Sequence, residues 1–249
     1  MKKTYKKYLQ GLSIIAVLIV FLFFGYGIKA KSELNKMNPT ETMEIVDNIF
    51  SVQDSYVNIF LIKTGDQYVT IDAGLKLDTI EKELIKLDID TKEIRAVFLT
   101  HTDLDHTAAI KLFKNAKIYL SRQEEQLING ETSRFFSIIG NKIDTKDYEL
   151  LEDQQILNVG NLKIQGLLTP GHTPGSMCYI INDKYLFTGD AISLKNGKIN
   201  KFNKMFNMDT KTATSSIAKL IKLPEVEYIF TAHYGYSDDY NYAVKDWKE

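Results

Sequence analysis

Thr100-His101-Thr102-Asp103-Leu104-Asp105-His106 contains two of the four histidines of this 249-residue chain. The apolar residues 94–99 before this stretch have the character of a strand, and residues 105–110 have that of a helix start. Four side chains that can bind metals therefore lie on a strand-to-helix turn. A turn can fold such a set inward around one or two cations, whereas a straight helix or strand cannot.

The remaining histidines occupy similar positions. His172 lies in the loop 169–175 after an apolar strand, and His233 follows the apolar run 227–230. Asp72 and Asp190 also stand where a strand runs into a loop. A single histidine in such a place is more often a structural hydrogen-bonding group than a ligand. Since open α/β folds build their sites at these strand ends, the joint pattern predicts a metal site.

These motifs, in this order and spacing, resemble those of the metallo-β-lactamase superfamily over residues 44–240. Residues 101–106 match its H-x-H-x-D-H motif, and Gly171-His172 matches its Gly-His loop. Asp72, Asp190 and His233 match its strand-end aspartate, bridging aspartate and last histidine. The resemblance implies an α/β fold, a four-layer αβ/βα sandwich.

The resemblance also implies ligands for two divalent ions. The first ion would be held by His101, Asp103 and His172, the second by Asp105, His106 and His233, with Asp190 as the bridge. Asp72 would orient a ligand or the turn itself. We expect Asp105 and His233 to take part in catalysis.

Asp103 departs from the family pattern, which has a second histidine at this position. The small pair that usually follows the motif is Ala108-Ala109 here. Imidazole nitrogens favour zinc, but a carboxylate at 103 makes Fe²⁺ or Mn²⁺ more acceptable. Alternatively, Asp103 binds weakly and leaves a mononuclear site at Asp105, His106 and His233.

Composition restricts the function further. The net charge is −1, yet residues 1–36 hold seven lysines against one glutamate, so the remainder of the chain is acidic. An acidic domain argues against nucleic acid as a substrate, because phosphate contacts need a basic surface. Cys178 is the one cysteine of the sequence, which excludes a disulfide within the chain, and we interpret it as a small buried apolar residue.

The N-terminal residues predict a membrane anchor. Four lysines within residues 2–7 precede the uncharged stretch 8–28, which is long enough to cross a bilayer of about 30 Å. Residues 27–31 are a poor cleavage site, although a cleaved signal sequence is the alternative. We therefore predict a transmembrane helix in residues 1–28, a linker in 29–43 and a domain in 44–249. The leading lysines favour a single-pass protein of the cell membrane with its domain outside the cytoplasm.

The leading hypothesis is a membrane-anchored hydrolase, in which a metal-bound hydroxide attacks an ester, lactone, thioester, amide or phosphodiester of a small-molecule or cell-envelope substrate. One alternative is a di-iron oxidoreductase of the same fold, because flavodiiron proteins of this superfamily carry a carboxylate at the position of Asp103. Another is a non-catalytic metal-binding protein. Segments 128–150 and 194–208 have no motif, and each either covers the site or forms a solvated surface. Oligomeric state is not predicted.

Overall fold

The computed structural model describes residues 2–134, 141–145, 147–224 and 226–247. The chain divides into two compact units, Met1–Met37 and Asn38–Glu249. Phe135, Phe136, Ile138 and Ile139, in one of the segments without a motif, lie outside the described residues.

The first unit consists mainly of helix α1 (Lys2–Leu34). Within it the 20 residues Ile15–Leu34, of mean hydropathy 1.7, are long and apolar enough to cross a membrane. A signal sequence has the same length and composition, so the membrane anchor stays a prediction. The helix continues past residue 28 because Lys29, Ala30 and Lys31 are good helix formers, so the first part of the predicted linker is helical.

The end of the predicted linker is bonded to the second unit. The Asn38 amide donates to the His233 carbonyl at 2.8 Å. The buried Asn58 accepts from the Thr40 amide and donates to the Thr40 carbonyl, both at 2.7 Å. Residues 38–42 therefore belong to the domain, which begins earlier than the predicted residue 44.

The second unit is built mainly from two sheets. In chain order the strands are β1 (Met43–Val46), β2 (Ile49–Asp54), β3 (Val57–Thr64), β4 (Gln67–Ile71), β5 (Ile94–Phe98), β6 (Lys117–Ser121), β7 (Glu149–Leu151), β8 (Ile156–Val159), β9 (Leu162–Leu168), β10 (Met177–Ile181), β11 (Tyr185–Phe187), β12 (Ile192–Lys195), β13 (Lys198–Lys201), β14 (Tyr228–Phe230) and β15 (Tyr236–Ser237). The first sheet has the order β1-β2-β3-β4-β5-β6-β7 and the second β15-β14-β11-β10-β9-β8, while β12 and β13 form a separate hairpin. Both sheets are mixed, with parallel pairs at β4–β5 and at β11–β14.

The helices of this unit are α2 (Leu77–Lys86), α3 (Leu104–Thr107), α4 (Glu125–Ile128), α5 (Thr210–Leu220) and α6 (Tyr240–Val244). Short 3-10 turns lie at Thr91–Glu93, Ile110–Leu112 and Arg122–Glu124. The helix start expected at residues 105–110 is therefore the single turn α3, which ends at Thr107 and is followed by the 3-10 turn Ile110–Leu112. Asp209 caps the N-terminus of α5, because its side chain accepts from the amides of Lys211 and Thr212.

Three buried clusters define the layers. The central cluster lies between the sheets, where Phe60 of β3 packs against Phe187 of β11 at a ring distance of 5.4 Å. A second cluster joins Ile80 and Leu84 of α2 to the outer face of the first sheet. A third joins Ile217 of α5 to the outer face of the second sheet and contains the fully buried Cys178. The predicted four-layer αβ/βα sandwich is thus confirmed.

Candidate metal centre

All seven predicted ligands lie in the segments that follow strand ends: His101, Asp103, Asp105 and His106 after β5, with the last pair in α3, His172 after β9, Asp190 after β11 and His233 after β14. Six of them form two groups, one of His101, His172 and Asp190 and one of Asp105, His106 and His233. Within each group the potential ligand atoms lie within 4.8 Å of one another. Each group takes residues from both sheets. The centre therefore forms only when the two sheets are packed together.

Asp190 faces both groups with different oxygen atoms. Its Oδ2 lies 3.4 Å from His172 Nε2 and 4.0 Å from His101 Nε2. Its Oδ1 lies 3.0 Å from His233 Nε2 and 3.4 Å from His106 Nε2. This carboxylate can therefore bridge two ions, as the resemblance implies.

The donor atoms fit a divalent ion. Among the described residues, His101 Nε2, His106 Nε2 and Asp190 Oδ1 are buried and make no hydrogen bond. A buried polar atom without a partner costs about 1–3 kcal/mol, so such atoms seldom converge unless they bind something. Imidazole nitrogen and carboxylate oxygen are the ligands that zinc binds in catalytic sites.

Contacts at Nδ1 hold the imidazole rings so that Nε2 points into the centre. His106 Nδ1 lies 2.8 Å from Asp72 Oδ2, and His233 Nδ1 lies 2.7 Å from the Tyr56 carbonyl. His101 Nδ1 lies 3.0 Å from Thr100 Oγ1, and His172 Nδ1 lies 3.4 Å from Asn207 Oδ1. Such outer contacts fix both tautomer and ring orientation in metal sites.

The two groups differ electrostatically. Burial disfavours protonation of His106, but Asp72, Asp105 and Asp190 together raise its pKa well above the usual value. Burial also disfavours protonation of His233, but the nearby Asp190 outweighs burial and raises the pKa of His233. In the first group burial dominates and lowers the pKa of His172. The carboxylates therefore make the second group the more attractive to a cation.

Asp103 reaches the first group but belongs to neither. Its Oδ2 lies 3.1 Å from His172 Nε2 and 3.6 Å from His101 Nε2. The same oxygen accepts from Arg134 Nη2 at 2.5 Å, and Oδ1 accepts from Asn141 Nδ2 at 3.1 Å. Despite burial, the His101 and His172 rings and Arg134 hold the pKa of Asp103 well below its usual range. Asp103 is thus an ionised partner of a guanidinium.

Arg134 was not identified in the sequence, although the segment 128–150 was singled out as possible cover for the site. It also donates from Nη1 to the His172 carbonyl at 2.6 Å and from Nη2 to the Phe206 carbonyl at 3.0 Å. The signal available was weak, since it is one of only three arginines in the chain.

Glu124 is a second residue that sequence analysis missed. This fully buried carboxylate accepts from the Thr102 amide and hydroxyl, both at 2.8 Å, with Oε1. With Oε2 it accepts from the Thr173 hydroxyl at 2.6 Å and the Gly175 amide at 3.1 Å. It therefore ties the turn that carries His101 to the loop that carries His172. A Cβ on Gly175 would lie 2.1 Å from the Glu124 amide nitrogen, so only glycine fits there.

Aromatic rings line one side of the centre. Phe202 lies 5.2 Å from the His172 ring and 5.9 Å from the His233 ring, and Tyr56 stacks on His233 at 5.8 Å. Phe202 comes from the segment 194–208, so that segment contributes to the site instead of forming only a solvated surface.

Comparisons with known proteins agree with this geometry. The model of the metallo-beta-lactamase superfamily matches residues 52–233. The probable polyketide biosynthesis zinc-dependent hydrolase PksB of Bacillus subtilis is 33% identical over 160 residues, which cover 63% of this chain and 63% of that protein. An atrochrysone carboxyl ACP thioesterase of Aspergillus fumigatus is 25% identical over 181 residues, 70% of this chain and 53% of that protein. The chain thus spans less than two thirds of either relative.

A solved structure shows the same fold. The Cronobacter sakazakii metallo-beta-lactamase with a HARLDQ motif superposes with a TM-score of 0.63 and 22% identity, over 79% of each chain. At this identity the likeness concerns the fold alone.

Proposed function

This chain belongs to the metallo-β-lactamase superfamily of metal-dependent hydrolases, and from that premise we propose that it cleaves an acyl thioester or ester. We also propose that α1 anchors it in the cell membrane, with the domain outside the cytoplasm, where a small-molecule or cell-envelope acyl group is the substrate.

One observation carries the hydrolytic proposal. Four imidazoles and the carboxylates of Asp105 and Asp190 converge, and three of their buried polar atoms make no hydrogen bond. Bound divalent ions, most simply zinc, would supply a Lewis acid and lower the pKa of water at this place. The rigid Nδ1 contacts keep the donor atoms aligned and cost no reorganisation during the reaction.

Asp105 is the residue best placed to move a proton. Its side chain is 19% exposed, whereas that of Asp190 is 6% exposed, so water and substrate reach Asp105 more readily. Its Oδ2 lies 3.6 Å from His233 Nε2, close enough for both atoms to bind the same ion. We assign the Asp105 oxygen that does not bind an ion as the acceptor of the proton from the attacking water.

The lining favours an acyl substrate. The partly exposed Tyr56 offers the surface of its ring next to His233, which suits a neutral acyl chain, and the buried Phe202 packs against the His172 ring. Relatives named as a zinc-dependent hydrolase and as an acyl carrier protein thioesterase support the same substrate class. Lactones, amides and phosphodiesters are the competing substrates.

The test uses the full chain in detergent with acyl-coenzyme A, p-nitrophenyl acyl esters, a lactone, an anilide and bis-p-nitrophenyl phosphate. We expect thioester or ester cleavage that a chelator abolishes and zinc restores. Asp105→Asn should lower kcat at least about 100-fold, because a general base contributes about 10²–10⁴ to the rate. Asp66→Asn, in the hairpin turn between β3 and β4, is the matched control and should retain activity.

Two outcomes would contradict the proposal. Cleavage of none of these substrates by a zinc-loaded, folded chain would favour a non-catalytic metal-binding protein. Predominant iron with dioxygen consumption would favour the oxidoreductase. That alternative depends on Asp103 as an extra iron ligand, and the contact of its Oδ2 with Arg134 weakens it.

A further inference from the structure

We propose that Arg134 is a built-in cation that takes the place of one of two metal ions. The chain binds one divalent ion tightly at Asp105, His106 and His233, and a second ion at His101 and His172 only weakly. The inference rests on the proposed function, because it concerns how the same centre is loaded.

The position of the guanidinium is the first support. Arg134 Nη2 lies 2.5 Å from Asp103 Oδ2 and 3.4 Å from His172 Nε2. By resemblance to the family, these two atoms would be ligands of the first ion. The other ligands of this ion would be His101 and Asp190. The guanidinium therefore already contacts two of the four ligands that the ion would need.

The second support is that Arg134 is firmly held. The residue is 5% exposed, and besides Asp103 it donates to the carbonyls of His172 and Phe206. An incoming ion would have to compete with the guanidinium for Asp103 Oδ2, while the bonds to the two carbonyls keep the buried guanidinium in place beside that ion. An exposed arginine would simply swing into solvent.

The third support is the unequal distribution of charge. Arg134 neutralises Asp103 beside His101 and His172. In the described part of the chain, neither Asp105 nor Asp72, which flank His106, forms an ion pair with lysine or arginine. An ion that enters the metal-free centre therefore binds at Asp105, His106 and His233. A further ion would meet both that ion and the guanidinium within a few ångströms.

The test is a zinc titration of the full chain in detergent after removal of metal, followed by calorimetry and by competition with a chromophoric chelator. We expect one tight ion per chain and a second Kd at least about 100-fold higher, because like charges this close inside a protein repel. Cobalt absorption, titrated in parallel, should reach its limit at one equivalent.

Arg134→Gln removes the charge and keeps a hydrogen-bond donor. In this variant we expect the second Kd to fall at least about tenfold, since one repelling charge is gone. Arg122→Gln is the matched control, because Arg122 is an exposed arginine that pairs with Glu152 at 2.5 Å on the surface. It should bind zinc as the wild type does.

Two zinc ions with similar Kd values in the wild type would overturn the inference and leave the proposed hydrolase intact. The zinc titration of the wild type tests the inference even if the Arg134→Gln chain does not fold. An unchanged second Kd in a folded Arg134→Gln chain would also overturn it. If the wild type binds no zinc, both the inference and the proposed function are wrong.

Discussion

Asp72 stands at the end of β4 in a left-handed backbone conformation, with φ of 63°. Residues other than glycine seldom adopt this region, although aspartate and asparagine tolerate it better than most. Three contacts stabilise it: Asp72 accepts from the Thr100 amide at 2.7 Å and hydroxyl at 2.9 Å, and lies 2.8 Å from His106 Nδ1. One aspartate thus sets both the turn and the orientation of a predicted ligand.

Asp72→Asn should raise the Kd for zinc by about 10–100-fold, the usual effect of losing such an outer contact. Asparagine keeps the shape and tolerates the backbone conformation. However, if its oxygen faces the Thr100 amide, its NH₂ group faces His106 Nδ1, and two donors then oppose each other. Competition with a chelator measures the Kd, and Asp66→Asn is the control. A Kd within twofold of the wild type would contradict the orienting role.

The raised pKa of His106 predicts how zinc affinity depends on pH. Asp72, Asp105 and Asp190 outweigh burial and raise this pKa well above its ordinary value, so the metal-free protein holds that proton to higher pH than an ordinary histidine does. Zinc must displace that proton, and its affinity therefore continues to rise with pH above 7. A site of ordinary histidines would level off near pH 7. Apparent Kd values between pH 6 and 9 test this, and a flat profile above pH 7 would contradict it.

At the scale of elements, apolar runs and motifs in the sequence predicted the strands that precede the candidate ligands and the turn of residues 100–106. They missed β2, because its Ser51 and Asp54 look like surface residues. Both are buried, Ser51 donating to the Glu41 carbonyl and Asp54 accepting from the Leu75 and Lys76 amides. The hairpin β12–β13 was also overlooked, although Asn196-Gly197 is a strong turn signal, and its segment 194–208 was expected either to cover the site or to form a solvated surface.

The contacts of Glu124 and Arg134 could not be predicted from local sequence. Glu124 meets Thr173 across 49 residues, and Arg134 meets Asp103 across 31. Neither residue belongs to a motif, and both gain their role only when loops from the two sheets meet. The predicted ligands, by contrast, come after strand ends, so the strand pattern predicted that they meet, and the family resemblance assigned each of them to an ion.

Glu124→Gln should lower the free energy of unfolding by about 2–3 kcal/mol. Only one of its two terminal atoms can accept hydrogen bonds, so either Thr102 or the Thr173–Gly175 loop loses its acceptor. Thermal or urea unfolding measures the change. Glu125→Gln is the adjacent control, because Glu125 is only partly buried and accepts from the Tyr148 hydroxyl at 3.2 Å. Equal stability of the two variants would contradict this role of Glu124.

At the scale of the whole molecule, the anchor prediction can be tested directly. The intact chain should remain with membranes at full length after a carbonate wash, since Ile15–Leu34 is apolar enough to span the bilayer. A chain that starts at Asn38 should be found in the soluble fraction, because the second unit is a compact unit of its own. A soluble natural product that starts near residue 31 would show instead that the segment is a cleaved signal.

Because the metal centre takes ligands from both sheets, it cannot form until both halves of the chain have been synthesised. A nascent chain that has released only residues up to 168 presents His101, Asp105 and His106, but not His172, Asp190 or His233. Such a chain holds an incomplete set of donors and has little means of retaining an ion. Metal loading therefore comes after folding, and a loaded centre reports that the two halves have joined correctly.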